Sequence, residues 1–162
     1  MKTVYVGIIG GGLMGKEVAS AFGRWFALND FPVKVVLKGV CDINEDTLAW
    51  YKQIPTVDVL TTDADELLSD PGIDVVYVAL PHHLHLEYYE KVIASGKDLL
   101  AEKPFGINLD VALKIKALAE QSNTFVRCSS EMPFLPGPQR VMQAVESGVM
   151  GEIMEVNAGF YH

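Results

Sequence analysis

The chain has 162 residues, 49% of them hydrophobic, enough for one domain that buries roughly 70% of its unfolded surface. Its formal net charge is −8 and no basic cluster breaks the acidity, which argues against nucleic acid or an anionic membrane as partner. An anionic cofactor stays possible, because backbone amides at a helix start hold phosphate without side-chain charge. The uncharged run from Thr3 to Gly15 is too short to span a bilayer, and its glycines, followed by Lys16 and Glu17, make a poor signal peptide. A cytoplasmic, soluble protein is expected. Cys41 and Cys128 fall in apparent strands and form no C-x-x-C pair, as befits buried thiols in a reducing compartment.

Val4 to Ile9 is an apolar, β-branched run that predicts a buried strand. Gly10-Gly11-Gly12-Leu13-Met14-Gly15 follows and fits G-x-G-x-x-G. Val18, Ala21, Phe22, Trp25 and Phe26 then recur at helical spacing. Val33 to Cys41 predicts a second strand ending at Asp42, and Asn44 caps a helix that Pro55 closes. A short third strand over Val57 to Leu60 leads to a short helix with Leu67 and Leu68, capped by Thr62 or Asp63. Asp70-Pro71-Gly72 is a turn by its chemistry. Ile73 to Leu80 is a near-continuous apolar run, the pattern of a strand buried on both faces, and Pro81 stops it. A helix from about His83 to Ser95 ends at Gly96. Lys97 to Ala101 is the fifth strand, with Glu102-Lys103-Pro104 at its end. Asn108 caps a helix whose apolar side carries Val111, Leu113, Ile115, Leu118 and Ala119, and Thr124 to Ser129 is the sixth strand. Pro133, Pro136, Gly137 and Pro138 then mark a linker, Arg140 to Ser147 a helix, and Glu152 to Tyr161 an alternating, half-buried strand without a hairpin partner.

Strands alternating with helices predict an α/β fold, a doubly wound, mostly parallel sheet with helices on both faces. Residues 1–130 form this domain, and residues 131–162 read as a linker helix and the first strand of a second, truncated one. In such sheets ligands bind beyond the C-terminal strand ends, where the glycine turn, Asp42, Pro81-His82 and Glu102-Lys103 all fall.

The glycine turn fits a dinucleotide: Gly10 for the tight turn, Gly12 for close approach of a pyrophosphate, Gly15 for packing of helix near strand. Asp42 stands 27 residues after Gly15, beyond the usual ~20, an excess that the loop Asn29 to Pro32 can absorb. There it reads as an acceptor for ribose hydroxyls or as a solvated turn aspartate. In the first role it repels a 2′-phosphate and favours NAD over NADP. Lys103 read alone is a surface lysine, or a partner for Glu102. Beside a partly buried cofactor it can exchange a proton with a substrate hydroxyl. His82, His83 and His85 belong near the cofactor or at a helix start; their spacing does not bring three rings to a metal, and no metal is expected. Glu17 stands where a P-loop needs Ser or Thr, so nucleotide hydrolysis is not expected.

The combination of Gly10-x-Gly12-x-x-Gly15, Asp42, Ile73 to Pro81 followed by His85, Gly96 to Pro104 with its Glu102-Lys103-Pro104, and Gly148 to Ile153 resembles the glucose–fructose oxidoreductase/inositol dehydrogenase (Gfo/Idh/MocA) family across essentially the whole chain. The resemblance implies an N-terminal Rossmann domain that binds NAD or, less readily here, NADP. The cofactor-binding residues it implies are Gly10, Gly12, Leu13, Met14, Gly15, Asp42, Leu80, Pro81, His82, His85, Glu102 and Lys103. It further implies a sugar, cyclitol or related polyol substrate, a substrate-positioning and proton-relaying Lys103, and a C-terminal domain that supplies an acid/base histidine and usually the oligomer interface, so a homo-oligomer is possible. Two features depart from the pattern: His82 stands where many members have Asn, and the catalytic histidine has no match in this chain. Alternatives of the same resemblance are a non-catalytic, redox-sensing NAD module and an NAD-assisted glycosidase.

Overall fold

The computed structural model describes residues 1–24 and 32–159. They divide into two compact units, one ending at Ser129 and one starting at Ser130. In the first unit the elements alternate: β1 (Lys2–Ile9), α1 (Leu13–Phe22), β2 (Val33–Cys41), α2 (Glu45–Tyr51), β3 (Val59–Thr61), α3 (Ala64–Ser69), β4 (Val75–Val78), α4 (His85–Ala94), β5 (Asp98–Glu102), α5 (Leu109–Gln121) and β6 (Val126–Ser129). The six strands form one sheet in the order β3-β2-β1-β4-β5-β6, and every pairing is parallel. All C-terminal strand ends therefore share one edge.

The sheet is buried on both faces because adjacent residues on its central strands are apolar, and each point into a different layer. Ile9, Val76 and Val78 pack with Leu67, Tyr89, Val92 and Ile115 of α3, α4 and α5. Ile8 and Tyr77 face the other way, onto Ala19, Leu48 and Tyr51 of α1 and α2. The doubly wound arrangement expected from the alternation is the one formed.

Local details differ from the sequence reading. β4 has four residues rather than eight: Asp74 precedes the ladder and its carboxylate takes the Tyr5 N–H at 2.8 Å. On α5, Ile115 is fully buried, whereas Leu113 is 53% exposed, since Val111, Ile115 and Leu118 follow the i, i+4, i+7 stripe and Leu113 does not. Asn44 and Asp63 are the caps of α2 and α3, each accepting from the N–H two residues on at 2.9 Å. Trp25 and Phe26 lie outside the described residues.

The turn between α3 and β4 is held by two lysines. Asp70 accepts from Lys38 Nζ and from the Gly72 N–H, each at 2.7 Å. The buried Lys97 ammonium donates to the carbonyls of Asp70 and Ile73 at 2.7 and 2.8 Å, and burial holds its pKa below the ordinary lysine value. The Lys38 ammonium, then the Gly72 N–H, hold the Asp70 carboxyl below its ordinary 3.8. A carboxyl whose folded pKa is depressed adds stability above the unfolded pKa, and that stability is lost as pH falls through the folded value. The urea midpoint should therefore drop on acidification from pH 5 toward pH 2, and drop less steeply in Asp70→Asn. Equal pH slopes in the two proteins would count against the role assigned to this turn.

The second unit holds a single helical turn at Met132–Phe134 and α6 (Pro136–Glu146), which starts four residues before the expected Arg140, with Pro136 in its first turn. The strand expected over Glu152 to Tyr161 is not formed in its described part, residues 152–159. The alternation is present, but no other described segment pairs with it, and a strand exists only through its ladder. No helix among the described residues is long and apolar enough to cross a membrane.

Candidate functional site

β1 delivers the chain to the sheet edge at Gly10, which has φ +96° and donates its N–H to Cys41 O at 2.9 Å. A Cβ at Gly10 would collide with the Ala79 carbonyl, and one at Gly15 with the Gly10 carbonyl. Those two glycines let strand, turn and helix meet. At Gly12 a Cβ would meet nothing within 4 Å, so the open side of the turn lies there. α1 begins next, and its first N–H groups have no acceptor inside the helix. Leu13 (76% exposed) and Met14 (42%) border this end.

Asp42 leaves β2 on the same side. Its Oδ2 accepts the Gly11 N–H and its Oδ1 the Asn44 N–H, both at 2.8 Å. Each oxygen keeps acceptor capacity for a further donor. Burial, then the Asp42 charge, pushes the neighbouring Cys41 thiol up to about 11, and Cys41 and Cys128 are free thiols.

Beyond β4, Leu80 is half-buried, while Pro81, His82 and His83 are exposed. His85 opens α4 and is completely buried: Nε2 lies 3.0 Å from Leu80 O, and Nδ1 lies 3.0 Å from both Pro104 O and the Tyr89 hydroxyl. The ring thus spans the ends of β4 and β5. Tyr89 donates to Glu102 O at 2.9 Å. The buried Glu102 carboxylate accepts from the Tyr77 hydroxyl at 2.7 Å and from the Lys103 N–H at 2.8 Å. Burial, then the hydrogen bond to Glu102, pushes the Tyr77 hydroxyl up, which keeps it a donor. Lys103 stands exposed above this network, and its ammonium forms no ion pair with Glu102.

The structure thus brings the glycine turn, Asp42, Pro81-His82 and Lys103 to one edge and sets His85 and Glu102 beneath it as buried supports. The exposed His82 ring meets the buried His85 ring edge-on at 5.3 Å between centroids, but no group of three His, Cys, Asp or Glu among the described residues could hold a metal. Sequence reasoning missed the buried tyrosines. Their signal was a hydroxyl inside otherwise apolar runs, as in Val75-Val76-Tyr77-Val78, because a buried hydroxyl must find a partner.

A parallel sheet with an open glycine turn at a helix start, and a carboxylate ending the next strand, defines a Rossmann-type nucleotide-binding domain. Residues 4–129 match the NAD-binding Rossmann-fold domain of the Gfo/Idh/MocA oxidoreductases, and the chain belongs to this family. The uncharacterized oxidoreductase YhhX of Escherichia coli K12 is 36% identical over 100 residues, 62% of this chain and 29% of that protein. Levoglucosan dehydrogenase of Pseudarthrobacter phenanthrenivorans is 26% identical over 159 residues, 95% of this chain and 40% of that protein. The solved structure of a levoglucosan dehydrogenase with NADH and L-sorbose superposes with a TM-score of 0.84 at 26% identity, covering 93% of this chain and 41% of that one. An NAD-binding oxidoreductase from Klebsiella pneumoniae gives the same TM-score and identity, covering 93% of this chain and 40% of that one. The chain spans less than half the length of these relatives.

Proposed function

We propose that this chain is the cofactor-binding part of an enzyme that transfers hydride between NAD and a hydroxyl-bearing carbon of a sugar, cyclitol or related polyol. The observation that carries the reading is the Asp42 carboxylate hydrogen-bonded into the glycine turn, which joins a ribose acceptor to a phosphate-binding helix end. The residues fit the cofactor. Gly12 leaves its side of the turn open, the first N–H groups of α1 face a pyrophosphate, and Asp42 retains lone pairs for ribose hydroxyls.

NAD, when bound, supplies the hydride-accepting carbon. Leu80, Pro81 and His82 would flank its nicotinamide side. The Lys103 ammonium, at the same edge, would hold a substrate hydroxyl and relay its proton at Nζ. His85 and Glu102 fix the Lys103 turn from below. The acid/base histidine would come from a C-terminal domain for which residues 131–162 serve as the linker. Levoglucosan and D-xylose dehydrogenases among the relatives support a sugar-like substrate. The reading includes a cytoplasmic location, in keeping with two free thiols.

Titration of the chain with NADH, followed by NADH fluorescence, should give saturable binding with a Kd between about 1 µM and 1 mM, weaker for NADPH. Absence of binding below about 1 mM would leave a domain that kept the fold and lost the ligand.

A further inference from the structure

We propose that Tyr51 is a positioning residue for the cofactor: its hydroxyl fixes the Gly11 peptide, so that the start of α1 is set before a dinucleotide arrives. This rests on the reading of the glycine turn as the pyrophosphate site. Gly11 is gripped at both of its backbone polar atoms, in the peptide groups before and after it, by residues that end β2 and α2. Tyr51 donates to the Gly11 carbonyl at 3.0 Å, and Asp42 accepts the Gly11 N–H at 2.8 Å. Tyr51 is wholly buried, so it touches no ligand itself.

The tyrosine also fills the space below the turn. A Cβ at Gly11 would lie 3.0 Å from Tyr51 Cε2, and one at Gly15 would lie 3.0 Å from its hydroxyl oxygen. Trp50 meets the ring edge-on at 4.8 Å between centroids. Burial, and secondarily the Asp42 charge, raises the hydroxyl above the ordinary tyrosine range, which keeps it a donor wherever the protein is folded. A turn held this way presents its free N–H groups without an ordering cost at binding, the general route by which preorganisation raises affinity.

The test compares the full chain with Tyr51→Phe, reading NADH affinity and, without ligand, amide hydrogen exchange. Tyr51→Phe should weaken NADH by about 5- to 10-fold, the size of one neutral hydrogen bond. Exchange should accelerate at Gly11 and Lys16, whose N–H groups are bonded to Asp42 and to the Gly12 carbonyl, while β1 and β4 keep their protection. If Tyr51→Phe does not stay folded, the unmodified chain carries the test: without ligand its Gly11 and Lys16 amides should be protected like those of β1, and rapid exchange at both overturns the proposal. Unchanged NADH affinity overturns the proposal. So does a loss of affinity with exchange accelerated evenly over the sheet, which would make Tyr51 a stability residue only. Failure of the unmodified chain to bind NADH overturns the reading of the turn itself, a result distinct from equal binding by both proteins.

Discussion

Gly10→Ala should destabilise the domain by about 2–5 kcal/mol, through left-handed backbone strain of about 1–2 and forced overpacking of about 1–3. Both terms arise at one atom. Gly10 sits at φ +96°, and its Cβ would enter the Ala79 backbone carbonyl. That carbonyl cannot swing away cheaply, because the Ala79 N–H is bonded to Ile9 O at 2.8 Å, so β1 and the end of β4 are tied where the new methyl would go. Urea unfolding read by far-UV circular dichroism measures the effect, and a loss under about 1 kcal/mol would mean that the turn relaxes without strain. Since the same atoms shape the glycine turn, the folded fraction of the variant should also bind NADH more weakly than the unmodified chain.

Asp42→Ala should weaken NADH by about 10- to 100-fold and NADPH by less than about 3-fold. The carboxylate is asked to do two things. It would accept ribose hydroxyls in charge-assisted hydrogen bonds, among the stronger of their kind. It also holds the Gly11 N–H at 2.8 Å, so its removal strips an acceptor from a buried peptide group. The phosphorylated cofactor gains where the unphosphorylated one loses, because the negative charge that opposes a 2′-phosphate is gone. Asp42→Asn keeps one carbonyl oxygen and should fall between the two. Parallel isothermal titrations with NADH and NADPH decide it: equal losses for both cofactors would show that Asp42 acts on the turn and not on the ribose.

Much of this fold was written in simple periodicities. β2 begins and ends at the predicted residues, and the glycine turn, Asn44, Asp63 and Asn108 mark helix starts by chemistry that needs no tertiary context. What stayed hidden depended on partners. Leu37 and Val40 both face α1 and α2 although they are three residues apart, because the register against β1 shifts between Leu37 and Gly39 and Lys38 drops out of the ladder. Strict alternation assigns them to opposite faces. The start of β4 was overrun because Asp74 accepts the Tyr5 N–H with its side chain, a rung that reads as strand yet is not one. At the site, the residue types at the sheet edge were legible. The division between an exposed Lys103 and the buried Glu102, His85 and Tyr89 below it was not, since nothing in a linear pattern says which of several adjacent polar groups is covered.

The lysine-held turn between α3 and β4 lies toward the N-terminal ends of the central strands, away from the edge that carries the glycine turn. The molecule is therefore polarised along its strands. One pole carries durability in an ion pair and capped carbonyls; at the other the exposed side chains, Leu13, His82 and Lys103 among them, carry no part of that anchor. Those exposed residues can drift toward a new cofactor or substrate without loosening the anchor, whereas Gly10 and the buried His85 and Glu102 cannot. A destabilising change at the edge can in turn be offset at the far pole, where a correction disturbs no ligand contact. A scaffold split in this way offers separate handles on robustness and on chemistry.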